Sequence, residues 1–145
     1  MAFNLPDMKL ILRANLLKAP EVMALATGGV HTGYGREAEE ATRKMPTLIL
    51  DFRGGAPRGS GSPVQARAMW LWASSNVSQD EADILYQAAA DFLSREGLMH
   101  PNAATNPACP QSCVYGIERS PSQAGRDDEV GAWFARGTWT MWGKG

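Results

Sequence analysis

An α+β fold, with an antiparallel β-sheet, helices packed on one face and a long β-hairpin, is predicted by three features of this 145-residue sequence. Segments with strand-like alternation fall in adjacent pairs, 47–52 with 64–74 and 113–119 with 130–142. Few helical segments separate them, and those that do are apolar on one side only. Parallel strands need a crossover between every pair, so strands that follow one another closely pair antiparallel and leave one face for the helices to cover. The length suits a single domain, 1–145, large enough to bury a real core. Apolar residues at 44% and charged residues at 20% are ordinary globular usage, which excludes a disordered, collagenous or coiled-coil chain.

The first helix follows from Asp7, a capping residue, and from Met8, Ile11, Leu12 and Leu16, which recur three and four apart. Pro20 ends or kinks it and can open a short second helix running to Gly28 and Gly29. From 30 to 45 the chain is glycine-containing and then charged, as in a surface connection. In 47–52, Leu48, Leu50 and Phe52 share one face while Thr47, Ile49 and Asp51 share the other. In 64–74, Val64, Ala66, Ala68, Trp70 and Trp72 alternate with Gln65, Arg67, Met69 and Leu71, so both faces are expected to be partly covered. Residues 54–62 hold Gly54, Gly55, Gly59, Ser60 and Gly61 and no large apolar side chain, which predicts a long, flexible hairpin tip.

Ser78 and Glu81 form a capping box, and Leu85, Ala88, Ala89 and Phe92 continue as a helical stripe that Gly97 ends. Pro101, Pro107 and Pro110 make 98–111 an irregular loop. Two final strands, joined by the turn-rich 120–125 and the acidic Asp127, Asp128 and Glu129, close the domain as a hairpin.

Composition removes several function classes. A net charge of −1 supplies no global basic field for non-specific nucleic-acid binding. The longest apolar runs, 22–26 and 69–73, are far shorter than a membrane span, and the charges at Asp7, Lys9 and Arg13 interrupt any export signal. Two cysteines are too few for a disulfide scaffold, and a reducing cytoplasm is the simplest setting. Cys109 and Cys113 with His31 and His100 lack the paired spacing of zinc ligands, so no metal and no cofactor is expected. The glycines of 54–62 precede a strand and no Gly-Lys-Ser/Thr, which removes the phosphate-loop reading. Asn76-Val77-Ser78 matches a glycosylation acceptor but Ser78 is needed as a cap. No nucleophile elbow is present, and the carboxylate pairs Glu39-Glu40 and Asp127-Asp128 lie in charged loops, so no catalytic site is expected and the protein is read as a non-enzyme.

What remains points to interaction. Residues 80–96 carry five acids and one Arg, whereas 52–79 carry Arg53, Arg58 and Arg67 and no acid before the helix cap. The helix of one copy could therefore face the hairpin of the next. Trp70, Trp72, Trp133, Trp139 and Trp142 all fall on expected strands, mostly as core. Trp139 and Trp142 have opposite parity, so one of them is available to a neighbour. The candidate interface comprises Arg53, Gly54, Gly55, Arg58, Gly59, Ser60, Gly61, Arg67, Asp80, Glu81, Asp83, Trp139 and Trp142.

The order of elements resembles the tail terminator, or tail completion, proteins of long-tailed bacteriophages. The resemblance is carried by the opening helix ending near Pro20-Glu21-Val22, by the strand 46–52, and by the glycine hairpin followed by 64–72. It continues through 78–82 leading into Leu85-Tyr86 and 88–93, and through the aromatic strand 130–142, so it covers most of the chain. The stretch 98–111 with its cysteine, Cys113 beyond it, and the charged 36–44 have no counterpart. The resemblance implies a structural virion protein of the tail or neck, assembled in the host cytoplasm. It would form a ring with itself, typically hexameric, that caps the tail tube protein and joins it to the head-proximal connector or stopper protein, while genomic DNA passes through the lumen without sequence-specific binding. A different neck or head-tail adaptor subunit, and a small metal-binding enzyme using Cys109 and Cys113, are the competing readings.

Overall fold

The computed structural model describes residues 8–32, 45–57, 64–96, 113–120, 123–128 and 131–144. Helix α1 (Met8–Leu17) presents Ile11, Leu12 and Leu16 inward, all fully buried, and leaves Arg13 and Leu17 outside. Pro20, which has no amide hydrogen to lose, opens α2 (Pro20–Met23), whose Val22 is also buried. Two helical pieces are present as expected, but the second stops at Met23, before the glycines. Gly29 takes φ +98°, a left-handed value that turns the chain into a strand.

That strand, β1 (Val30–Thr32), lies parallel to β2 (Thr47–Pro57), with Val30 opposite Leu48. Its three residues lie inside the stretch expected as surface connection, and this is a correction. They are held because β2 offers an edge and Leu48 N donates to Gly29 O. β2 pairs antiparallel with β3 (Val64–Ser75), and β3 with β6 (Ala132–Lys144). The far edge of β6 carries two strands in line, β4 (Cys113–Glu118) beside Trp139 to Lys144 and β5 (Gln123–Asp127) beside Ala132 to Arg136. Between them Arg119 N donates to Thr138 O at 2.7 Å, and the Ser120 and Thr138 hydroxyls bond at 2.6 Å, so the edge continues as one broken strand. The closing hairpin is thus β5–β6, not β4–β6, and Gly131 at φ +66° stands at its turn. The six-stranded sheet has the order β1-β2-β3-β6-β4, with β5 also on β6. It is mostly antiparallel, as the fold class required.

The expected tip at 54–62 also needs correcting. β2 runs on through Gly54, Gly55, Ala56 and Pro57, and its pairing shifts by one residue between Arg53–Ala68 and Ala56–Ala66. Glycines that read as a loop therefore form a β-bulge inside the hairpin. Arg58, Gly59, Ser60, Gly61, the 98–111 loop, the 36–44 connection and the Asp7 cap lie outside the described residues.

Helix α3 (Gln79–Glu96) crosses the same face as α1 and α2, packing on β3, β6, β4 and β5. The sheet turns Leu48, Leu50, Met69, Leu71, Ala73, Ala135, Trp139 and Met141 toward Ile11, Leu12, Leu16, Leu85, Ala89 and Leu93 of the helices, forming one core. The parity read from 47–52 and 64–74 is the parity observed.

The N-terminus of α3 is satisfied in an unusual way. Ser78 Oγ accepts from Glu81 N at 3.1 Å, the expected first arm of a capping box. The return arm is relayed, because Ser75 Oγ, fully buried, accepts from Val77 N and donates to Glu81 Oε1 at 2.8 Å. Ser78→Ala is expected to cost about 1 kcal/mol, and Ser75→Ala about 2 kcal/mol because it removes the hydrogen bonds of the Val77 amide and the Glu81 carboxylate together. Urea denaturation measures both; equal losses would remove the relay.

Candidate interaction surface

The sheet's second face carries no helix among the described residues, and burial on it falls steadily across the strands. Ile49 on β2 is fully buried and Asp51 nearly so. Trp70 and Trp72 on β3, and Phe134, Arg136, Thr138, Thr140 and Trp142 on β6, are half-buried, while Ile117 on β4 is 45% exposed. Registers Trp72–Arg136, Trp70–Thr138 and Ser74–Phe134 bring these side chains into one patch.

At its centre the Arg136 guanidinium lies 4.8 Å from the Trp70 ring, 4.7 Å from Trp72 and 5.4 Å from Phe134. Trp72 and Phe134 pack with centroids 5.2 Å apart. Guanidinium stacks readily on aromatic faces because it is planar and weakly hydrated. Arg136 Nε also donates to Gln123 Oε1 at 3.3 Å, and its cation meets no carboxylate among the described residues. The Phe134 ring in turn lies on Gly125 of the neighbouring strand, where a Cβ would come within 2.9 Å of it. A second cation, Arg119, bonds Thr140 Oγ1 at 2.9 Å on the same face.

On the helix side, α3 shows an exposed stripe of Asp80, Asp83, Ile84, Gln87 and Asp91, spaced three, four and seven apart. Ile84 is 57% exposed. Gln79 and Gln87 donate to Asp83 and Asp91, and no Lys or Arg among the described residues pairs with these carboxylates.

The sequence-selected residues separate into groups. Asp80 and Asp83 are exposed on α3, whereas Glu81 is occupied by Ser75. Arg67 lies within β3, half-buried, with its guanidinium 5.3 Å from the Phe52 ring. Arg53, Gly54 and Gly55 lie in β2 at the bulge. Trp142 is half-buried on the face away from the helices, but Trp139 is 1% exposed within the core and is not available to a neighbour. Of the five tryptophans it alone is fully buried, where most were expected to be; Trp133 is half-buried under the Arg126 guanidinium, 4.9 Å away. Arg136 and Phe134 are not among the residues the sequence points to. Their parity on β6 matches that of Trp142, and this was the available signal.

One polar cluster penetrates the core. Tyr86 Oη donates to Glu118 Oε2 at 3.0 Å and accepts from Trp139 Nε1 at 3.3 Å, directly over Gly137. Burial is the main force holding the Tyr86 phenol well above its ordinary range, with Glu118 adding to it, so the hydroxyl stays protonated.

No group of three or more His, Cys, Asp or Glu side chains that could hold a metal occurs among the described residues. His31 Nε2 sits 3.1 Å from Gly28 O, a bond that requires the proton on Nε2. No helix among the described residues is long and apolar enough to cross a membrane. Compared with known proteins, the chain matches no family model and no curated protein.

Proposed function

We propose that the protein is a structural virion subunit of the phage tail or neck, one that forms a ring on the end of the tail tube and joins it to the head-proximal connector. The observation that carries this reading is the two-sidedness of the sheet, which among the described residues has three helices on one face and a half-buried aromatic patch around Arg136 on the other. A small module with a half-buried aromatic patch and an exposed acidic helix is suited to contacts between proteins. The element order supports the same reading, since opening helix, β2–β3 hairpin, Ser78-capped helix and aromatic final strand resemble the plan of the tail terminator family. On this reading the ring closes by rotation through heterologous contacts, and DNA passes through its lumen.

The test includes the partner. Purified protein mixed with the tail tube protein of the same genome is expected to give tubes with an added cap of density and no further elongation, seen by electron microscopy. Tubes that elongate unchanged and uncapped overturn the terminator reading.

A further inference from the structure

We draw no further inference here: the strongest candidate, the outer surface patch of helix α3 in which the exposed Asp80, Asp83 and Asp91 flank Ile84, is an acidic cluster around one apolar side chain, and nothing in the structure shows what covers it.

Discussion

Gly137→Ala is expected to destabilise the fold by about 3 kcal/mol, more than any other single methyl added to the sheet. A Cβ at this position would stand 1.9 Å from Tyr86 Oη and 2.9 Å from Cζ, so one of the two must move. The tyrosine cannot swing aside cheaply. Its ring is buried between α3 and the sheet, and its hydroxyl serves both Glu118 and Trp139. Displacing it leaves Trp139 Nε1 buried without an acceptor and opens space beneath α3. Gly125→Ala provides the contrast, because its Cβ meets the Phe134 ring at 2.9 Å and that ring is only half-buried, so it can give; about 1 kcal/mol is expected. Tyr86→Phe removes the atom in closest contact. In a double-mutant cycle read by urea denaturation, Gly137→Ala and Tyr86→Phe together should cost at least about 1 kcal/mol less than the sum of the two alone. Additivity would mean that the glycine is not needed to admit the hydroxyl.

Which features of the fold could be read in the sequence depends on whether their signal is local. Period-two alternation at Leu48, Leu50 and Phe52, and helical spacing from Leu85 to Phe92, are set by residues a few positions apart, and the structure follows them. β1 and β5 carry no such signal. Val-His-Thr and Gln-Ala-Gly-Arg-Asp extend because β2 and β6 present edges to them, which is a tertiary effect. The bulge at Gly54 and Gly55 misleads for the same reason, since glycine marks a break locally while the ladder with β3 resumes beyond it. For the interaction surface, the sequence offers Asp80 and Asp83 of α3 and Trp142 of β6, whereas Trp70 and Trp72 of β3 read from it only as strand residues, mostly core. Arg136 became part of the patch only when the register put it opposite Trp72. Tyr86 and Gly137 are far apart in sequence, and nothing along the chain announces that one makes room for the other.

The two tryptophans of β6 with opposite parity give the second large expected effect. Trp139→Ala should cost about 3–5 kcal/mol, a large fraction of the stability of a domain this size, and leave it partly unfolded at 37 °C. The side chain is 1% exposed, sits among Met141, Met69 and the residues of α3, and supplies the hydrogen bond to Tyr86, so its removal opens a cavity and unties the polar cluster at once. Trp142 lies one sheet face away, half-buried, and Trp142→Ala should cost roughly 1–2 kcal/mol because solvent and neighbouring side chains can fill part of the gap. Thermal and urea unfolding of the two variants distinguish them, and a loss under about 1.5 kcal/mol for Trp139 would place it outside the core. Trp139→Leu, which fills much of the same volume, should recover part of the stability that Trp139→Ala loses, because most of the cavity stays filled while the hydrogen bond to Tyr86 is still absent.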